Sequence, residues 1–499
     1  MLRPGLRCVL VVALSLGMVA GFAAAARSTT EAAAARGGLR FVNLTFASTP
    51  PSPVGTRCPG SAACWNGAVE PQIRADDAGA FYVSTENGLF EGTIAAKSSD
   101  GGLHYVTLPS PNQTSTGSQE ESGFAPGGGD TDVAIAPVAN AAGIQNVYVA
   151  SLSLAEVTVS TSVDGGATWR INPTGALIPG DDREWIAADG ASKVCISYHD
   201  LATFNVDVDC SYDAGATFTQ HALPGAIDAA HAFLIQNNQI GNLVIDSGSH
   251  VVYQILAGIA GPQQIACGFA GTCKFNAVWM AVSTDGGVTF TDYPVFVGPS
   301  DQVGYNHMFP HVAVDRAGTV YALFSDDHDV WYCFSTDQGR TWSAPVRVNR
   351  PPVRTAIFPW AAAGDAGKLD VVYYGTSYEG PEPSPDTYPP SVEWHAYFAQ
   401  NLDATKPHSH FKQVRATPVV HRGAVCELGI GCSGNRDLFD DFGVAASPVT
   451  GMASIAYTDD QFDPSEPVAP GCTPERSNTL QCDHTSIATQ VGGRGVFGD

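Results

Sequence analysis

The chain alternates short apolar runs with turns that contain Gly or Asp, and one such couplet recurs seven times. In one copy residues 309–315 lead through a turn into residues 318–323, and in another residues 183–189 lead into 193–198. Apolar runs of this length, bounded by turn residues and lacking sustained helical spacing, predict β-strands. The remaining couplets begin at Glu70, Asp130, His231, Phe358 and Asp441.

A second pattern, Ser-x-Asp-x-Gly-x-x-aromatic, lies between the couplets and occurs five times. Asp hydrogen-bonds backbone groups ahead of it and Gly accepts positive φ, so each copy predicts a tight turn at the tip of a β-hairpin. Self-similarity of this kind indicates a repeat architecture. The copies occupy residues 98–105, 160–169 with an added residue, 211–218, 283–290 and 335–342.

These five copies resemble the Asp boxes (BNR repeats) of sialidases and related secreted β-propellers. The resemblance implies an all-β fold and a carbohydrate-directed function. The arginine motif of the catalytic sialidases is not matched, because residues 70–74 at the corresponding place read Glu-Pro-Gln-Ile-Arg. The resemblance therefore implies the scaffold more directly than the sialidase reaction.

Seven couplets predict a seven-bladed β-propeller of four-stranded antiparallel blades. Little chain follows the last couplet, so we expect the N-terminal run at residues 39–46 to supply its outer strand and close the ring. The alternative is a six-bladed propeller of the sialidase type, in which the irregular segment at His231 forms no blade. Residues 27–499 are expected to form one domain.

The loops of such a propeller divide between two faces. The repeated turns join the two outer strands of each blade and lie on one face, whereas every long insertion falls on the other, which we call the loop-rich face. Short turns opposite long loops mark a binding surface, and the repeated turns are then structural. The insertions span residues 109–129, 257–276, 376–392, 419–437 and 460–484.

Charged and aromatic residues begin the inner strands, where the channel opens on the loop-rich face. Residues two apart on a strand share one side, so the strand starts and the positions two further on are expected to form stacked rings. Paired acids suit proton transfer to a glycoside, and indoles suit sugar stacking. The candidate catalytic residues are Asp130, Asp132 and Asp441. The candidate substrate contacts are Arg183, Trp185, His231, His311, Trp360 and Arg436.

The N-terminal segment and the net charge indicate where the protein acts and which partner is disfavoured. Residues 1–26 have a basic start, a short apolar run and small residues before a cleavage site, which predicts a secretory signal peptide and a secreted protein. No later segment is long and apolar enough to span a membrane. The formal net charge of −24 disfavours nucleic acid as a partner. Clustered acids make Ca²⁺ the candidate cofactor, although no loop has EF-hand spacing.

The cysteines fit export, since most lie in pairs close in sequence. The pairs close in sequence are Cys58/Cys64, Cys267/Cys273, Cys426/Cys432 and Cys472/Cys482, and Cys195 and Cys210 are placed to face each other across one hairpin. Cys333 is left over as a candidate buried thiol. The sequence alone does not fix which cysteines are bonded.

Two functions of different classes remain open at this point. The first is a glycan-binding or glycoside-hydrolysing propeller, exo-acting if it is an enzyme. The second is a non-enzymatic extracellular scaffold that binds protein or glycan across the same face.

Overall fold

A computed structural model describes residues 38–45, 68–86, 92–112, 127–153, 155–225, 230–326, 328–380, 384–429, 432, 435–461 and 482–498. The predicted signal peptide, Cys58, Cys64 and Cys472 lie outside these residues. In the described part of the chain no helix is both apolar enough and long enough to cross a bilayer.

Short strands account for nearly all the regular structure. In chain order they are β1 (Arg40–Thr45), β2 (Val69–Ala75), β3 (Phe81–Glu86), β4 (Ile94–Ser98), β5 (Val106–Thr107), β6 (Thr131–Ala139), β7 (Gln145–Leu152), β8 (Val157–Ser162), β9 (Arg170–Asn172), β10 (Asp181–Asp189), β11 (Lys193–Asp200), β12 (Asn205–Ser211), β13 (Gln220–Ala222), β14 (Asn238–Ile245), β15 (Val252–Gly258), β16 (Ala277–Ser283), β17 (Thr291–Val297), β18 (His311–Val314), β19 (Val320–Ser325), β20 (Val330–Ser335), β21 (Val346–Arg347), β22 (Thr355–Ala363), β23 (Leu369–Thr376), β24 (Glu393–Asn401), β25 (Lys412–Arg415), β26 (His421–Arg422), β27 (Gly443–Ala446), β28 (Ala453–Asp459) and β29 (His484–Gly492). A five-residue α-helix, Ile265–Phe269, and short 3₁₀ segments at Ala232–Leu234, Pro262–Gln264 and Pro385–Thr387 complete the described elements.

The strands form seven antiparallel sheets, which are the blades of a propeller. Blades 1 to 6 begin with β2, β6, β10, β14, β18 and β22, and each runs outward through four consecutive strands. Blade 7 has the order β27-β28-β29-β1, so the N-terminal strand closes the ring by pairing with β29. The seven-bladed prediction and its closure are confirmed, and the six-bladed alternative is wrong.

The strand predicted to begin at His231 is absent. His231 precedes the 3₁₀ segment Ala232–Leu234, and the inner strand of blade 4 begins at Asn238 instead. His231, Phe233 and Ile235 are spaced two residues apart, as in a strand. In the structure, however, the His231 ring packs against Phe233 and Trp279. The segment is therefore a cap over blade 4.

The five repeated turns close on themselves and fasten each blade to the one before it. In the second copy Ser162 Oγ donates to Asp164 and accepts from the Gly166 amide, both at 2.8 Å. In the first, Thr489 of blade 7 donates to the Gly102 carbonyl at 2.7 Å. A Cβ on Gly102, whose φ is +88°, would lie 2.7 Å from Thr489 Oγ1. These contacts give the turns a structural role.

The two faces differ in the described residues. The repeated turns lie on the face where the inner strands end, whereas the described parts of the long insertions lie on the face where the inner strands begin. Three of the cysteine pairs are disulfide-bonded, namely Cys195–Cys210 across β11 and β12, Cys267–Cys273 and Cys426–Cys432. Cys482 is also disulfide-bonded, and Cys333 is a buried free thiol.

We predict that Ser162→Ala lowers the free energy of unfolding by about 1–2 kcal/mol, because a buried turn loses both hydrogen bonds of the hydroxyl. Val163→Ala, at an exposed position of the same turn, is the matched control and should change stability by less than about 0.5 kcal/mol. Chemical denaturation measures both. Equal effects would contradict the structural role of the serine.

Candidate functional site at the channel mouth

The inner strands open onto the loop-rich face at a cluster of charged residues, which we call the channel mouth. It consists of Glu70, Glu86, Asp130, Asp182, Arg183, Arg436, Asp440 and Asp441.

Backbone irregularities direct two of these side chains. Glu70 and Arg183 have positive φ values of 48° and 53°, which are uncommon for residues with a side chain. Each lies at a register shift, between Val69 and Gln72 in blade 1 and between Asp182 and Glu184 in blade 3. Bulges of this kind re-aim side chains and are common beside functional sites.

Arg183 connects three blades across the channel. Its Nη2 atom lies 2.7 Å from Asp441 Oδ2. Its Nη1 atom lies 3.5 Å from Glu70 Oε2 and 3.7 Å from Asp130 Oδ2. Only 4% of the Arg183 side chain is exposed, so these acids compensate a desolvated charge.

Arg436, in the link between blades 6 and 7, also contacts Glu70. Its Nη2 atom lies 3.2 Å from Glu70 Oε1 and 2.6 Å from Asp440 Oδ2. Its side chain is 21% exposed, so solvent reaches this arginine but hardly reaches Arg183. Two of the candidate arginines thus converge on Glu70, and both are already paired with carboxylates.

Three carboxyl groups crowd together beside the arginines. Glu70, Glu86 and Asp130 each present an oxygen within 4.8 Å of the other two. Burial and the Asp130 charge raise the pKa of Glu70 well above its usual value and that of Glu86 to about 8. The side chain of Asp130 is 14% exposed. Protonated Glu86 therefore lies beside an accessible carboxyl group at neutral pH.

The other mouth acids share this environment. Burial, opposed by Arg183, raises the pKa of Asp441 to about 7. Burial and the Asp130 charge raise that of Asp182 to about 6. Asp440 also has a raised pKa, mainly through burial. The carboxyl groups at the mouth outnumber its two arginines.

A second layer of side chains lies deeper in the channel and is largely buried. Asp132 accepts from Arg74 at 2.9 Å and from the amides of Val133 and Ile186. Gln72 donates to Asp441 and so joins the two layers. Asp132 is 1% exposed, so it is out of reach of a ligand at the mouth.

Aromatic rings close the channel at the same depth. Trp185 and Trp360 are wholly or nearly buried and pack together with ring centroids 5.0 Å apart. Trp360 also contacts His311 at 4.0 Å, while Arg183 lies 3.9 Å above the Trp185 ring. Burial lowers the pKa of His311 to about 3, so this imidazole is neutral. The two indoles pack as core and present no open face for a sugar.

The predicted site residues thus divide into two groups. Asp130, Arg183 and Asp441, which share one predicted register, lie at the mouth together with Arg436 from the link between blades 6 and 7. The predicted site residues that lie in the buried second layer or in the cap over blade 4 are Asp132, Trp185, His231, His311 and Trp360.

Sequence reasoning missed Glu86. This residue ends β3 and pairs with Val69, so it stands opposite the start of the blade's inner strand. An acid at the end of a second strand was the available signal. Its distance from Asp130 depends on the bulge at Glu70, which the sequence does not reveal.

Two further arginines do not join the mouth. Arg354 pairs with Glu379 at 2.8 Å, and Arg422 pairs with Glu393 at 2.6 Å, all at exposed positions. Arg183, Arg354, Arg422 and Arg436 therefore do not form a clamp of three arginines of the kind that binds the carboxylate of a sialidase substrate.

No protein family model and no curated protein sequence matches the chain. Among solved structures, it is similar to a xyloglucanase from Xanthomonas campestris, at 14% identity and a TM-score of 0.47, over 86% of this chain and 55% of that one. An α-L-arabinofuranosidase from Fusarium graminearum shows 14% identity and a TM-score of 0.44, over 66% and 92% of the two chains. The NanB sialidase from Streptococcus pneumoniae shows 10% identity and a TM-score of 0.39, over 85% and 68%. At these values the comparisons carry no argument about activity, and the propeller assignment rests on strand pairing.

We predict that thermal stability falls as the pH rises from about 5 to 8, and that Glu86→Gln reduces this fall. The folded protein holds the Glu86 proton up to about pH 8, whereas an unfolded chain releases it near the usual value of 4.5. Raising the pH across this window therefore favours unfolding. Thermal melts across the range measure the effect, with the exposed Glu379→Gln as control. Identical pH profiles for Glu86→Gln and the wild type would contradict the assignment.

We also predict that Arg183→Met costs about 3–5 kcal/mol at pH 8, because buried carboxylates lose their counter-charge. The loss should shrink at pH 5, where more of these acids are protonated. Arg316→Met removes an exposed ion pair to Asp365 and should cost at most about 1 kcal/mol. Denaturation at both pH values provides the measurement, and a pH-independent loss would refute the electrostatic explanation.

Proposed function

We propose that the protein is a secreted propeller that binds carbohydrate at the channel mouth and hydrolyses a glycosidic bond there. The observation that carries the proposal is the close approach of Glu70, Glu86 and Asp130, with the pKa of Glu86 raised to about 8. Glycoside hydrolysis requires a protonated acid and a carboxylate beside one another. The resemblance of the repeated turns to Asp boxes is consistent with this function.

The proposed division of labour follows from burial and charge. Glu86 donates a proton to the leaving oxygen, since its raised pKa keeps it protonated at neutral pH. Asp130, the more accessible carboxylate, stabilises positive charge on the sugar or attacks it. Glu70, wholly buried between the two arginines, holds them in place.

The remaining candidate residues divide between contact and positioning. Arg436 is the best-placed ligand contact, because its guanidinium is partly exposed beside Glu70. His231 lies in the cap over blade 4 and not among the mouth residues, so its role as a ligand contact stays a prediction. Asp441 orients Arg183 within the mouth, and Asp132 orients Arg74 in the layer below it.

The charge of the mouth favours a neutral glycan. Its carboxyl groups outnumber its arginines, and both arginines have acid partners. An anionic sugar would have to displace one of these partners inside a poorly solvated site, which is costly.

A second candidate function is binding of a hard divalent cation at the mouth. Three carboxyl groups that each present an oxygen within 4.8 Å of the others favour it, because Ca²⁺ takes carboxylate ligands. The neighbouring guanidinium groups oppose it. Adding Ca²⁺ to the assays below distinguishes the two functions.

Secretion belongs to the same proposal. The signal-like segment at residues 1–26 supports it. The disulfides support it too, because such bonds persist in oxidising compartments.

The test is a panel of fluorogenic neutral and sialylated glycosides together with a glycan array, with and without Ca²⁺. We expect turnover of a neutral glycoside, and a loss of at least about 100-fold in kcat/KM for both Glu86→Gln and Asp130→Asn. Asp403→Asn, at an exposed position in the turn between β24 and β25, is the matched control and should leave turnover unchanged.

The outcomes separate the alternatives. Glycan binding without turnover would limit the function to recognition. Absence of both would leave the non-enzymatic protein scaffold. Preferred cleavage of sialosides would overturn the inference from charge.

A further inference from the structure

A second cluster of ionisable residues lies at the junction of blades 6 and 7, apart from the channel mouth. It consists of His421, Asp437, Asp460 and Asp483, and we call it the His421 cluster. His421 belongs to β26, which pairs with β24 of blade 6. Asp460 follows β28 of blade 7, and its amide donates to the Val420 carbonyl at 3.0 Å.

The contacts of His421 place one ring nitrogen against an acid and the other against a carbonyl. Nε2 lies 3.0 Å from the Ala424 carbonyl. A carbonyl only accepts, so Nε2 carries the proton. In the neutral imidazole Nδ1 is then an acceptor, yet it lies 2.6 Å from Asp460 Oδ2, another acceptor. This contact requires a second proton, or a cation that binds both atoms from one side.

A neighbouring carboxylate points to the same need. Asp483 is completely buried, and neither of its oxygens has a hydrogen-bond partner. The charges of Asp437 and Asp460 act on it directly. A buried charge without a partner is expensive. Three buried carboxyl groups lie here near the imidazoles of His421 and His484.

The spacing suits one metal ion. A ring nitrogen of His421 and one oxygen each from Asp437 and Asp460 lie within 4.8 Å of one another. Ligands on opposite sides of an ion with bonds of about 2.1 Å are about 4.2 Å apart. An Nε2–H that donates to a backbone carbonyl is also the usual outer partner of a metal-bound histidine.

We propose that the His421 cluster binds a divalent transition-metal ion. His421 Nδ1, Asp437 and Asp460 are its ligands, and Asp483 is a neighbouring buried carboxyl group outside this ligand set. One imidazole among carboxylates matches Zn²⁺ or Mn²⁺ better than Ca²⁺, which prefers oxygen ligands alone. A 2+ ion takes the place of a proton at Nδ1 and offsets the buried negative charge.

The site has a structural consequence. It ties β26, attached to blade 6, to the end of β28 in blade 7. The inference is independent of the proposed function at the mouth.

The test starts from full-length protein stripped with a chelator and dialysed. Calorimetric titrations and thermal melts with Zn²⁺, Mn²⁺, Ca²⁺ and Mg²⁺ measure binding. We expect one equivalent of Zn²⁺ or Mn²⁺ to bind and raise the melting temperature. His421→Gln and Asp437→Asn should each weaken binding by at least about 100-fold.

Two controls keep the result specific. His395→Gln alters another buried histidine of blade 6, which contacts the Pro418 carbonyl and no carboxylate, and should bind like the wild type. Glu86→Gln tests the channel mouth and should also bind normally.

The location of the ion decides the assignment. An anomalous diffraction peak at bonding distance from His421 Nδ1 would support the proposal, even if one ligand variant fails to fold. Lack of stoichiometric binding, a peak only at the mouth, or undiminished affinity in both ligand variants would overturn it.

Discussion

Ring closure is the constraint on which the rest of this structure depends. Each inner strand is buried only if blades stand on both sides of it, and blade 7 has four strands only because β1 pairs with β29. The pairing joins residues over 400 positions apart, so the ring closes only after a long loop of chain is ordered. Once closed, the ring gives the mouth residues of blades 1, 2, 3 and 7 their common centre.

Arg183 shows how that geometry becomes chemistry. It belongs to blade 3 but contacts Glu70 of blade 1 and Asp441 of blade 7. Because Arg183 contacts acids of several blades, it keeps these acids close together where solvent hardly reaches. Crowding and burial then raise the carboxyl pKa values, and the partly exposed Asp130 and Arg436 offer this environment to a ligand.

The sequence was informative where a local period decides the structure. The two-residue strand period put Glu70, Asp130 and Arg183 at one level of the channel, and the turn chemistry located the hairpin tips. It failed at His231, where alternation without strand partners formed a cap. It also could not show that Trp185 and Trp360 face each other, since that depends on the width of the closed channel. Glu86 was missed because its approach to Asp130 depends on a bulge in another strand.

The aromatic layer beneath the mouth has a consequence for traffic through the molecule. Cavities of about 220 Å³ lined by Arg74 lie on the far side of Trp360 and Ile186, toward the short turns. The channel of the propeller is therefore closed at the aromatic layer, and a polymer cannot pass through it. A ligand enters the mouth with an end or a side branch. It leaves through the same opening, so substrate entry and product release compete.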